Sequence, residues 1–468
     1  MKTVKTLKLT AFNRISKALT TIFRSPLYPV FFQVAGLIIY LGLIWFALGV
    51  AVPDGVPPKR YAQNTMSSLI VWGIWLPLLI ILTAFLGRIW CSVCPLELIQ
   101  QVGNFIGRKV FGIKLRLPKF FRNSINGVLI YSFLLFMLIA TRFPQVPGNT
   151  STLLIVLAFF SLVSGIFFGN RIFCKYFCPA DMLLRGLGRR GMLRIHHELP
   201  KNAIVNTTAS KDNCPSYLNT KKLNDASPCI LCGHCIKSNE SISVNFRAMP
   251  SVPDDNWKNY GWGITILGFF LSGFVIEHLF HDWQAGHHYY EYFPDIVKKM
   301  VGVKALAGWI EAIWAVIVIP VVFWFSMVLI GKIFSSSLSI SDILKKITLP
   351  IITALTGLHV ILSLKKFSHW VTHTQVAFKN LKDKIATDGF MPESIFIVHF
   401  HGRGHGHGQG QEVHLLSEPV FWCISIIILF LFSSFLFKEI WRWKKEYLSN
   451  TPSCLEREKS SSPVKQES

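Results

Sequence analysis

The chain is poor in acid: 25 Asp and Glu stand against 48 Lys and Arg, and all four charged types together make up only 16% of 468 residues. So little charge beside 51% hydrophobic residues excludes a soluble domain of ordinary make-up and indicates a polytopic membrane protein. A long soluble basic module is also missing. The formal charge of +23 therefore does not signal nucleic acid, and in a membrane protein basic residues report topology first. Residues 1–24 are basic and lack a compact apolar run before a small-residue site, so no cleavable signal pattern is present. The ten cysteines lack the setting of a disulfide scaffold; their spacing beside apolar spans fits metal ligation in a reducing compartment.

One sulfur is also missing. Pro228-Cys229-Ile230-Leu231-Cys232-Gly233-His234-Cys235 is a C-x-x-C-x-x-C turn, the spacing by which bacterial-type ferredoxins present three thiolates to one cubane cluster. The fourth ligand, due after three more residues, is replaced by Asn239. Other sulfurs occur at Cys91-Ser92-Val93-Cys94-Pro95, at Cys174-Lys175-Tyr176-Phe177-Cys178-Pro179 and at Cys214-Pro215, and Cys94, Cys178 and Cys214 carry the proline that follows a ferredoxin ligand donated to a neighbouring cluster. Cys91, Cys94, Cys174, Cys178, Cys214, Cys229, Cys232 and Cys235 together meet the requirement of two 4Fe-4S clusters. Tetrahedral zinc is the structural alternative for the C-x-x-C spacing, and the Cys-Pro marks and the sulfur count favour clusters. Cys423, within an apolar run, and Cys454, in the tail, read as plain residues. His234 reads as a neighbour or tuner of the cluster turn and not as a ligand.

Apolar runs long enough for helices across roughly 30 Å of hydrocarbon occur at 27–52, 68–86, 125–140, 152–168, 261–280, 309–330, 347–364 and 420–437. The fold class expected is all-α and polytopic, with about eight transmembrane helices and a small ferredoxin-like segment. The expected divisions are a basic N-terminus (1–26), a four-helix half with two Cys-Pro motifs (27–197), the ferredoxin-like segment (198–260), a second four-helix half (261–437) and a partly disordered tail (438–468). Alternate gaps between spans collect 36 and 12 of the Lys and Arg residues, and the excess marks the cytoplasmic side of a bacterial-type inner membrane. Both termini and all eight motif cysteines then lie inside, and ten of fifteen histidines lie outside.

Gly87-Arg88-Ile89-Trp90-Cys91 and Gly169-Asn170-Arg171-Ile172-Phe173-Cys174 look like two copies of one unit, each followed by Cys-Pro. With the turn at Cys229, these motifs make residues 27–245 similar to the membrane-integral ferredoxin-type proteins, among them the membrane subunit of the periplasmic nitrate reductase quinol dehydrogenase, the polytopic regulator of nitrous oxide reduction and the membrane iron-sulfur protein of cbb-type oxidase assembly. The resemblance implies two cytoplasmic 4Fe-4S clusters and electron exchange with a redox partner protein or quinone. The chain departs from that pattern in three ways: the first copy has two residues between its cysteines where the second has three, no second complete ferredoxin motif follows, and no extracytoplasmic flavin domain is present.

Toward the outer ends of the second-half spans stand Glu277, His278, His281, Glu311 and His359, with His369 and His373 spaced i, i+4 beyond. Ionisable groups at membrane depth mark function by default. His278 and His359 suit a bis-imidazole haem b; Glu277, His281, Glu311, His369 and His373 suit a transition metal; interfacial hydrogen bonding is the third reading. His399, His401, His405 and His407 lie in a glycine-rich tract that reads either as a metal-collecting loop or as a solvated spacer. The functional expectation is a membrane electron carrier linking cytoplasmic clusters to a quinone, haem or metal toward the outer face, with a quinol dehydrogenase-like or metal reductase component as its enzymatic form. The alternatives are a metal reductase, transporter or assembly factor using the His-rich tract.

Overall fold

The structure, a computed structural model, describes residues 2–113, 115–123, 125–169, 171–197, 214–216, 218, 227–250, 261–303, 306–334, 338–388 and 415–450. In chain order the elements used below are α1 (Lys2–Arg24), α2 (Val30–Ala47), α3 (Met66–Leu86), α4 (Pro95–Phe105), α5 (Ile125–Thr141), α6 (Pro147–Phe168), α7 (Pro179–Leu187) and β1 (Leu193–His197). They continue with α8 (His234–Ser238), β2 (Ile242–Phe246), α9 (Trp262–Asp282), α10 (Gln284–Val301), α11 (Ala307–Ile333), α12 (Ile340–Trp370), α13 (Thr374–Asp388) and α14 (Glu418–Asn450). Among the described residues seven helices are long and apolar enough to cross a membrane, and α5 is a shorter apolar eighth. Each of the eight expected spans coincides with one of these helices. The architecture is that of a polytopic helical membrane protein.

Burial separates interior helices from rim helices. About half of the apolar stretch of α3, α9 and α12 is buried (50%, 50% and 56%), against 17% for α2 and 22% for α11 and α14. The interior helices interlock with α7 and α14 around Ile80, Leu183, Leu267, Leu271, Ile352 and Phe432. The rim leaves Phe31, Ile38, Phe325 and Phe430 exposed, as a lipid-facing surface requires. Small residues allow close approach: a Cβ at Gly165 of α6 would lie 2.4 Å from the Gln100 carbonyl oxygen of α4, and one at Gly73 of α3 would lie 2.3 Å from the Trp370 ring of α12.

Two features were not expected from the sequence. The basic N-terminus is a helix, and β1 and β2 form an antiparallel pair running from Leu193 opposite Phe246 to His197 opposite Ile242. Helix α1 lies on this pair, with the β2 amides of Val244 and Phe246 donating to Thr20 Oγ1 (3.1 Å) and Ser16 Oγ (2.9 Å). Phe23, Tyr28, Leu193, Leu231, Ile236, Ile242 and Val244 close a separate small core beneath it. The membrane helices thus carry a compact cap at the end where α3 and α6 terminate.

Candidate iron-sulfur centres

Two helices deliver the first four cysteines in the same manner. α3 and α6 end on Gly87 (φ 88°) and Gly169 (φ 74°), a backbone state that glycine enters without steric cost, and the chain turns there. An arginine follows, and the first cysteine stands three residues after it. Cys94 and Cys178 then take one conformation (φ −67°, ψ 130° and φ −66°, ψ 120°), with proline as the first residue of α4 and of α7. The extra residue of the second copy is absorbed locally. Cys91 rides on an α-helical turn (Ile89–Val93), whereas Cys174 rides on a wider π-helical turn (Phe173–Phe177) closed by Cys178 N–H donating to Phe173 O at 2.8 Å. The backbone N–H groups of Leu96 and Glu97 at the start of α4 donate to Cys94, and that of Ala180 in α7 donates to Cys178; helix N-termini favour a thiolate in this way.

The C-x-x-C-x-x-C turn curls through two left-handed residues, Leu231 (φ 57°) and Gly233 (φ 79°), and Leu231 N–H donates to Cys229 Sγ at 3.4 Å. Gly233 is required by space as well, since a Cβ there would lie 2.8 Å from the Phe23 carbonyl oxygen. Tyr28 ties this turn to the first Cys-Pro copy: its hydroxyl donates to Leu231 O (2.8 Å) and shares a hydrogen bond with Ser92 Oγ (2.5 Å). His234 is exposed at the edge of the turn.

The eight thiols divide into two quartets. Cys214 lines one cavity with Cys229, Cys232 and Cys235, closed by Ile195 and Ile230. Burial is the main force pushing Cys235 up to about 12, with Cys232 and then Cys214 adding repulsion. Burial likewise raises Cys232 to about 11 and raises Cys229, whose ionisation Cys232, Cys235 and Cys214 also oppose. In the other quartet burial lifts Cys94 to about 12 with Cys91 next, raises Cys174 with Cys178 and Cys94 among its opponents, and raises Cys178 with Cys94 and Cys91 among its own. Thiols so buried and so close to one another become thiolates when a cation compensates them. Among the described residues no three Cys, His, Asp or Glu side chains converge as the ligand set of a single metal ion.

Four charged side chains, absent from the sequence-derived site, interlock the copies. Arg88 of the first copy pairs with Asp181, three residues after Cys178, and Arg171 of the second pairs with Glu97, three residues after Cys94, Nε to Oε2 at 2.7 Å. All four are buried. Burial works against the Arg171 charge, and Glu97 first, then Cys174, Cys232 and Cys91, sustain it. The signal was present in the sequence as an arginine three residues before the first cysteine and an acid three residues after the second, at equal spacing in both copies.

At the opposite end of the bundle the outer candidates have separate settings. His278 Nδ1 lies 3.0 Å from Phe274 O and 2.5 Å from Glu277 Oε2, and its ring and that of the buried His359 both pack on Phe274, with centroids at 4.1 and 5.4 Å. Among the described residues His359 Nδ1 has no hydrogen-bond partner. The His281 ring lies 4.9 Å from that of His287, and Glu311 pairs with Lys298 at 2.7 Å. His369 contacts Gln63 (3.0 Å) and His373 contacts Asn64 (2.9 Å), both just before α3. The structure thus brings His278 beside Glu277 and near His359, pairs Glu311 with Lys298, and joins His369 and His373 to Gln63 and Asn64. His399, His401, His405 and His407 lie outside the described residues.

A protein-family profile described as a 4Fe-4S binding domain matches the chain twice, at residues 68–114 and 150–196. These are the two helix and Cys-Pro units. The chain is also similar, at 25% identity over 210 residues (41% of this chain and 84% of the relative), to an uncharacterized protein of Methanocaldococcus jannaschii. No solved structure matches. A 4Fe-4S binding domain on apolar helices of spanning length makes this chain an iron-sulfur membrane protein.

Proposed function

We propose that the protein carries electrons through the membrane, with one 4Fe-4S cluster on Cys91, Cys94, Cys174 and Cys178 and a second on Cys214, Cys229, Cys232 and Cys235. The observation that supports this most is the division of the eight motif thiols into two quartets, Cys214 sharing one cavity with Cys229, Cys232 and Cys235, and the two Cys-Pro copies joined by the Arg88–Asp181 and Arg171–Glu97 pairs. The clusters supply one-electron chemistry when bound. The chain's own residues exclude water, point the N–H groups of two helix N-termini and of Leu231 at sulfur, and fix the spacing of the quartets.

The quartets sit on the cytoplasmic side by the balance of basic residues. Electrons pass between them and a quinone or a second centre at the far end, a role like that of the quinol dehydrogenase membrane subunits. His278 and His359 are the residues we assign to such a centre: the engagement of His278 Nδ1 leaves Nε2 as the ligand nitrogen, as in haem sites whose histidine donates its other N–H to a carbonyl. The test uses proteoliposomes with a trapped electron acceptor and a membrane-impermeant reductant on the cysteine side. Reduction of the trapped acceptor by wild type and its loss in Cys94→Ser is the expected result; wild type with loaded clusters and no transfer contradicts the proposal. If the outer centre is a bis-histidine haem, His278→Ala and His359→Ala each abolish a low-spin haem band, and preparations without haem overturn that assignment alone.

A further inference from the structure

The side chains that join the two copies also touch both quartets. Arg171 reaches Glu97 Oε2 through Nε (2.7 Å), and through a terminal nitrogen it donates to Ser216 Oγ (2.8 Å), two residues after Cys214. Glu97 Oε2 in turn lies 3.3 Å from Cys174 Sγ. One guanidinium and its carboxylate therefore bridge from the first quartet to the second, with Arg171 7% and Glu97 3% exposed. Arg88 follows the same plan in the other copy: it pairs with Asp181, approaches Cys91 Sγ at 3.8 Å and donates to the Ser227 carbonyl (3.1 Å), two residues before Cys229. Charges held in a water-poor interior act more strongly on their neighbours than the same charges in solvent.

We propose that Arg171, paired with Glu97, is a positioning residue shared by both iron-sulfur centres, holding the quartets side by side and setting both reduction potentials together. This rests on the reading that each quartet carries a cluster. Adding an electron places one negative charge on a centre; the guanidinium stabilises that charge and the carboxylate opposes it, so removing either moves both centres in one direction. Transfer between the centres oxidises one by a single electron and reduces the other by the same electron, with no bond made or broken. The pairing explains why both charges are present: either alone would be a buried charge without compensation. A merely structural ion pair would alter cluster loading and leave the potentials of the loaded centres unchanged.

The test is a redox titration followed by electron paramagnetic resonance on the full chain purified without oxygen. Wild type gives two titrating signals. Arg171→Gln shifts both midpoints to lower potential, by a tenfold change in each reduction equilibrium or about 59 mV for a one-electron couple; Glu97→Gln shifts both to higher potential, and Arg171→Lys, which keeps the charge, stays near wild type. A shift in one signal alone, or in neither, overturns the inference. Should Arg171→Gln fail to take up iron, Glu97→Gln decides by the same criterion. Fewer than two signals in wild type is a separate failure: it overturns the two-cluster reading itself, before any variant is made.

Discussion

Asp181 lies 5% exposed between Arg88 and Arg185, its Oδ2 2.9 Å from Arg185 Nε, and so neutralises the more buried of two arginines beside the first quartet. Breaking a buried pair costs about 3–5 kcal/mol because the remaining charge is left uncompensated. Asp181→Ala should therefore lower the denaturation midpoint of the detergent-solubilised protein substantially, whereas Asp181→Asn, which still accepts a hydrogen bond, should lower it less. Midpoints equal to that of wild type in both variants would show that the charge is not what matters at this position. The cysteines were legible in the sequence because eight thiols at ferredoxin-like spacing have few other uses. Their allocation was not legible: that Cys214 joins the turn at Cys229, and that each arginine pairs with the acid of the other copy, are products of tertiary packing.

Among the elements, long apolar runs were readable because a spanning helix must be continuous and apolar to satisfy its backbone in lipid. β1 and β2 were not, since each has five residues and Leu193 finds its partner at Phe246, far along the chain. The one-residue difference between the Cys-Pro copies, visible in the sequence as a departure, becomes a π-helical turn that leaves Cys178 in the conformation of Cys94. α4, which starts at Pro95 directly after Cys94 and carries Glu97, lies against α6 through Gly103 and Gly165. Gly165→Leu would force these backbones apart; overpacking of this kind costs about 1–3 kcal/mol. The expected result is lower iron content per chain with a lower thermal midpoint, and a variant with full iron and an unchanged midpoint would refute the close packing of α4 on α6.

On the scale of the whole molecule, the eight motif cysteines and the His369–His373 pair lie at opposite ends. α3 runs 21 residues from Met66 to Leu86, about 30 Å at the helical rise, with His369 and His373 meeting the chain just before it and Cys91 just after it. On the proposed route that separation is more than a single electron step, so the proposal includes a carrier or further centre between the ends. The sidedness proposed from basic residues predicts that reporter fusions after Phe121 read cytoplasmic and fusions after Lys384 read extracytoplasmic. A cytoplasmic signal after Lys384 would place both ends of the proposed route on one side and remove its purpose.

The central claim, two clusters on two quartets, is tested most directly by iron and acid-labile sulfide content of the protein purified without oxygen, in wild type, Cys94→Ser and Cys232→Ser. The account predicts about eight iron and eight sulfide per chain in wild type, as two 4Fe-4S clusters require. Each variant should lose one paramagnetic signal, with Cys94→Ser and Cys232→Ser losing different ones. About four iron per chain in wild type, stoichiometric zinc, or loss of the same signal in both variants would contradict it.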